Sequence, residues 1–145
     1  MKTKRILGLS ILALFLSLAF TSKAPGTSGI EFFHGTFDQA KADAKKSKKL
    51  VFIDAYTTWC GPCKLMAKNV FTDAAVGEYY NSNFTNLKLD METSEGQFVA
   101  KKYGVQGYPT FLFLDGDGNL VRKEMGYVDA KTFIGYGKSA RNDKK

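Results

Sequence analysis

The chain has 145 residues, 44% of them hydrophobic and 24% charged, with a formal net charge of +7 and two cysteines. These proportions fit a single ordinary globular domain and exclude a disordered, collagen-like or cysteine-scaffolded chain. No repeat at a fixed period and no low-complexity tract interrupts the body.

The N-terminus departs from the rest. Met1-Lys2-Thr3-Lys4-Arg5 is a short basic start, and Ile6 to Phe20 is an unbroken apolar run apart from Gly8, Ser10 and Ser17. The run is shorter than the roughly 20 residues a membrane span needs, and it is followed by the small-x-small site Ser22-Lys23-Ala24. Residues 1–24 therefore read as a cleavable signal peptide, with Ser17-Leu18-Ala19 as a second possible cleavage site and an uncleaved anchor as the less favoured reading. No cysteine lies near either site for lipid attachment. The leader carries Lys2, Lys4, Arg5 and Lys23 and no acid, so subtracting its four charges from +7 leaves +3 on the mature chain. The remaining basic residues cluster in Lys45-Lys46-Ser47-Lys48-Lys49 and in the tail from Arg141 to Lys145, as on solvated helix ends. Nucleic acid is not an expected partner.

Residues 25–35 are expected to form a flexible Pro-Gly-Thr-Ser-Gly linker and a short N-terminal strand, and residues 36–142 the domain proper. Thr36-Phe37-Asp38-Gln39 has the spacing of a capping box with an acid in the first turn, so a helix is expected from there to about Lys48, with Phe37, Ala40 and Ala44 inward. Leu50 to Ile53 is a continuous apolar run, the mark of a strand covered on both faces. Lys64 to Val70 reads as helix, and Thr72-Asp73 as the cap of another over Ala74 to Tyr80. Phe84 to Leu89 is a second strand. Ser94 to Gln97 has capping-box spacing and opens a helix ending at Tyr103-Gly104. Thr110 to Leu114 is a third strand, joined through the turn residues Asp115 to Asn119 to a fourth, Leu120 to Glu124. A last helix starts at Asp129, weakened by Gly135 and Gly137. This order predicts an α/β fold, a central mixed β-sheet flanked by helices.

Cys60 and Cys63, in Trp59-Cys60-Gly61-Pro62-Cys63, admit three readings. A closed zinc site needs about four protein ligands, and the only histidine, His34, is far away in sequence. A structural staple is chemically possible in an exported protein. Two intervening residues, however, close too small a loop to constrain the unfolded chain much. A reactive pair fits best: Cys60 follows an apolar strand and sits at a helix N-terminus, where unpaired N–H groups and the helix dipole favour a thiolate. Pro62 suits the first turn, where its missing N–H costs nothing. Cys63, one turn further in and more buried, can resolve a mixed disulfide formed at Cys60.

The same residues resemble the active site of the thioredoxin superfamily. The resemblance rests on Trp-Cys-Gly-Pro-Cys-Lys after the strand Leu50 to Tyr56, together with Gly107-Tyr108-Pro109-Thr110, which is similar to the superfamily's cis-proline loop. It covers about Phe33 to Phe133. Val70-Phe71-Thr72-Asp73 with Val76, the turn Phe113, Asp115, Gly118, and Lys68 in place of a helix-kinking proline resemble the exported thioredoxin-like branch, which includes the C-terminal domain of the disulfide reductase DsbD. The resemblance implies a thioredoxin-like fold, with Cys60 as nucleophile, Cys63 as resolving cysteine and Asp54 as a buried carboxylate that relays a proton. It places Asn86 where thioredoxin has the lysine that accompanies that carboxylate. It also implies a cis bond at Pro109, and substrate docking on Trp59, Gly61, Pro62, Tyr108 and Pro109.

Two decoys are set aside. Asp115 to Asn119 starts like a calcium loop but lacks its sixth-position glycine and its final glutamate. Asn83-Phe84-Thr85 is a glycosylation sequon at the start of a predicted strand. The expected function is an exported, periplasmic or secreted thiol-disulfide oxidoreductase, most simply a protein-disulfide reductase. The alternatives are an oxidant or isomerase, and a non-catalytic peptide-binding module. Expected partners are disulfide-containing substrate proteins and a membrane-embedded thiol donor. The chain is expected to be monomeric, to need no metal and no cofactor beyond the Cys60–Cys63 disulfide, and to keep no membrane anchor after cleavage.

Overall fold

The structure, a computed structural model, describes residues 29–144; the predicted leader and residues 25–28 lie outside it. Local chemistry sets the ends of each element. α1 (Phe37–Ser47) starts at Thr36, whose hydroxyl accepts from the Gln39 amide while the Gln39 side chain accepts from the Thr36 amide, completing the capping box. It ends at Lys48, held in the left-handed region at φ 57°. β1 (Leu50–Tyr56) leads into α2 (Gly61–Asn69). Asp73 caps α3 (Ala74–Asn83), its Oδ1 accepting from the Ala75 and Val76 amides. After β2 (Phe84–Asp90), α4 (Ser94–Tyr103) closes on Gly104. β3 (Thr110–Leu114) and β4 (Leu120–Met125) form the hairpin, and α5 (Ala130–Asp143) is capped by Asp129. Gly137, a poor helix former, has a packing role in α5: a side chain there would meet Tyr79 at 2.9 Å, so the glycine lets the helix lie directly on α3.

The sheet order is β2-β1-β3-β4, with β1 and β2 parallel and the other pairs antiparallel. Side chains alternate across a strand, so β1 feeds two cores. Val51, Ile53 and Ala55 join Leu87, Leu89, Leu112 and Leu114 under α1 and α4. Leu50 and Phe52 join Phe84, Phe111 and Phe113 under Met66 of α2, Tyr80 of α3 and Phe133 of α5. β2 and β4 are the sheet's edges. On β4, Arg122 bonds Glu124 at 2.6 Å and Asp143 at 2.9 Å. Among the described residues no helix is long and apolar enough to cross a membrane.

Three expectations are corrected. α4 is capped by Thr93, whose hydroxyl accepts from the Gly96 amide, not by Ser94; the Thr93 hydroxyl also donates to Asp90 O, which fixes it at the end of β2. Gly29 is no free linker residue. It is buried at φ 100°, and a side chain on it would strike Phe71 O at 2.4 Å, while one on Gly77 would strike Gly29 O at 2.2 Å. The segment from Ile30 to Phe33 is not a strand of the sheet. Phe33 donates to Asn86 O and Ile30 to Phe71 O, but between them side chains replace the ladder: Glu31 N donates to Asn81 Oδ1, and Asn86 Nδ2 donates to Glu31 O.

Candidate active site

Cys60 is itself the N-cap of α2. Its backbone is extended, its Sγ accepts from the Cys63 amide at 3.1 Å, and Gly61 and Pro62 fill the first two helical positions. Cys60 and Cys63 form a disulfide with their Cα atoms 5.3 Å apart. The first turn of α2 carries no acid, so nothing there opposes negative charge on Cys60. The expected difference in burial is not seen: each cysteine is 4% exposed, because the S–S bond folds Cys60 Sγ back over the first turn.

Trp59, Cys60, Gly61 and Pro62 line a surface cleft of about 410 Å³ with Gln106, Gly107 and Tyr108 from the loop before β3. The Trp59 and Tyr108 rings meet edge to face at 5.9 Å. Trp59 is 64% exposed, yet its Nε1 donates to Glu92 Oε1 at 2.9 Å, which holds the ring beside the cysteines. The Tyr108–Pro109 bond is cis. The loop is fixed from behind, where the Thr110 hydroxyl donates to Gly107 O and Gly126 N donates to Pro109 O. The predicted docking residues thus share one cleft, except that Pro109 lies behind its lining.

Asp54 is 1% exposed and falls, by alternation, on the sheet face that carries α2. Neither of its carboxyl oxygens has a hydrogen-bond partner. Lys88 Nζ lies 3.7 Å from Oδ2, close enough for charge attraction and too far for a hydrogen bond. Burial pushes the Asp54 pKa up to about 7, and the Lys88 charge opposes the shift.

Lys88 corrects the expectation at Asn86. β1 and β2 pair in parallel from Leu50↔Phe84, which sets Asp54 opposite Lys88 and Asn86 opposite Phe52. Asn86 instead serves the N-terminal segment. The signal was available: Asp54 and Lys88 each lie four residues after the first residue of their strand. Glu92 was also missed, since nothing local marks an acid after β2 as the partner of a distant indole. The decoys resolve as turn and cap chemistry. Asp115 takes the Asp117 and Asn119 amides on Oδ1, and Asn83 Nδ2 donates to Tyr79 O.

A family model described as a thioredoxin-like domain matches residues 37–141. Thioredoxin H4 of Arabidopsis thaliana is 40% identical over 83 residues, 57% of this chain and 65% of that one, so the chain spans a little under two thirds of this relative. Among solved structures, a candidate disulphide-isomerase from Bacteroides thetaiotaomicron superposes with a TM-score of 0.72 at 42% identity, covering 82% of this chain and 98% of that one. The oxidised C-terminal domain of Neisseria meningitidis DsbD superposes at 0.63 with 27% identity, covering 71% and 90%.

Proposed function

The chain belongs to the thioredoxin-like family, and from that premise we propose that this oxidoreductase is an exported protein-disulfide reductase, working in the periplasm or as a secreted protein. The observation that carries the reading is Cys60 as N-cap of an acid-free helix start, lining a surface cleft, with a buried carboxylate on the sheet face that carries the same helix. In the reduced form the Cys60 thiolate attacks one sulfur of a substrate disulfide. The S–S bond breaks, the departing sulfur leaves with the electron pair and takes a proton from water, and a mixed disulfide remains. Cys63 then gives its proton to the Asp54 carboxylate and attacks Cys60 Sγ, releasing the second substrate thiol. Two electrons have passed to the substrate, and the Cys60–Cys63 disulfide is left. A carboxyl group titrating near 7 can take that proton and return it at neutral pH.

The donor that restores the dithiol is a thiol carrier, by likeness to DsbD a membrane-embedded one. Substrates are proteins whose extended chain lies across Trp59, Gly61, Pro62 and Tyr108, with Pro109 shaping the loop from behind. The protein works as a monomer. The Gly-Pro dipeptide between the cysteines, like that of thioredoxin, favours a low potential and hence reduction.

The test is the reduction potential of the Cys60–Cys63 couple equilibrated against glutathione. A value near roughly −270 mV is expected, and one at or above roughly −180 mV makes the protein an oxidant or isomerase. The likeness to the Bacteroides candidate disulphide-isomerase gives that second outcome its specific support.

A further inference from the structure

Lys88 reaches Asp54 through an unusual enclosure. Its side chain is 31% exposed and could turn to solvent, yet Nζ stands over the face of Tyr56 at 4.6 Å from the ring centroid. The rings of Phe32 and Phe71 lie 5.8 Å and 5.9 Å away, and they pack against each other edge to face at 5.7 Å. The three rings come from three places: Tyr56 ends β1, Phe71 sits between α2 and α3, and Phe32 belongs to the N-terminal segment. That segment is anchored at this point, where Ile30 donates to Phe71 O at 2.7 Å. Ring faces attract an ammonium group within about 6 Å of the centroid, most strongly where water is partly excluded.

We propose that Tyr56 is a positioning residue which, with Phe32 and Phe71, holds the Lys88 ammonium against the Asp54 carboxylate and so sets the pH at which that carboxylate can act. The inference rests on the proton relay proposed above. The charged and titratable groups around the pair are Lys88 and Asp90 on β2, Tyr56 on β1, Glu31 beside Phe32, and the cysteines at the start of α2; Phe111, opposite Asp54 on β3, is apolar. Without the Tyr56 face, Lys88 is free to turn outward. Asp54 then loses its one nearby positive charge, its ionised form is less favoured, and its pKa rises.

The experiment uses the full chain, with the carboxyl titration of Asp54 followed by NMR on isotopically labelled protein and, in parallel, the pH profile of disulfide reduction. Tyr56→Phe keeps the ring face and should titrate like the parent. Tyr56→Leu should raise the Asp54 midpoint by about half a unit to one unit, the scale of one displaced partial charge pair. Lys88→Met should raise it at least as far, and the double variant Tyr56→Leu/Lys88→Met no further than Lys88→Met alone. An unmoved or lowered midpoint in Tyr56→Leu overturns the proposal, as does a shift in the double variant equal to the sum of the two. A midpoint that rises while the pH profile stays fixed upholds the enclosure and overturns the relay, so the two readings fail separately.

Discussion

Adjacent residues of β1, Ile53 and Asp54, are each almost wholly buried, and they face opposite layers of the molecule. The layer on the Ile53 side, under α1 and α4, is built on strand aliphatics and, among the described residues, holds no buried charge. The layer on the Asp54 side is a continuous aromatic cluster in which Phe52 touches five other rings, and Tyr80 stacks on Phe133 at 4.5 Å. That second layer also holds the unsatisfied carboxylate, the ringed lysine and the disulfide. One layer thus stabilises the domain, and the other spends part of its stability on chemistry.

Substitutions can break this contrast, and the largest effect is expected at the disulfide. Cys60→Ser should abolish disulfide reduction while leaving the fold intact, and Cys63→Ser should accumulate a mixed disulfide with substrate, seen by non-reducing electrophoresis. Undiminished turnover in Cys60→Ser would return the protein to the class of non-catalytic binding modules. Next come the neighbours on β1, which should move stability in opposite directions. Ile53→Ala should cost about 2–5 kcal/mol in denaturant unfolding and leave the reduction potential unchanged. Asp54→Asn should slow resolution of the mixed disulfide by about 10²-fold and stabilise the protein.

That stabilisation has a definite pH dependence. The folded pKa of Asp54 is raised from 3.8 to about 7, so folding favours its protonated form. The parent is unpenalised below the unfolded pKa, loses stability progressively as pH rises to about 7, and levels off above it. The advantage of Asp54→Asn should therefore be near zero at low pH and grow to a few kcal/mol, on the order of 1.4 per pKa unit, at pH 8. An advantage that stays constant with pH would mean that the carboxylate is not desolvated.

The smaller effects sharpen the contrast at its margins. Gly77→Ala should displace the N-terminal segment, since its new methyl group would enter the Gly29 backbone; about 1–3 kcal/mol is expected, with a visible change in exchange of the Ile30 amide. Lys48→Gly should stabilise α1 by up to about 1 kcal/mol by removing a side chain from a left-handed position, with no change in activity.

What was legible in the sequence follows the range of the interactions. Thr36, Asp73 and Asp129 are caps whose partners lie within three residues, so the helix starts could be read directly. The apolar runs of β1 and β3 could be read because both of their faces are covered. The cysteines were legible because their chemistry depends on a motif of four consecutive residues, Cys60 to Cys63. Lys88 was not assigned, because its role comes from pairing two strands thirty-four residues apart, Asp54 with Lys88, and a shift of two positions moves the charge onto Asn86. The N-terminal segment misled for a similar reason: its extended, aromatic pattern suits a strand, but Asn81 and Asn86 take up the backbone groups that a ladder would use.

The open edge at β4 has a consequence for the substrate docking proposed above. Its last strand residue, Met125, is 62% exposed, and the strand ends near the loop that carries Tyr108 and Pro109. A bare, flat edge there would template pairing with another chain. Arg122, Lys123 and Glu124 instead put three successive charges on the strand, and Lys123 reaches back to the carbonyls of Tyr103 and Gly104. A substrate strand docked in the cleft, as proposed above, would then not be recruited into the sheet, so the edge's charges would help keep a transient encounter from becoming a permanent one.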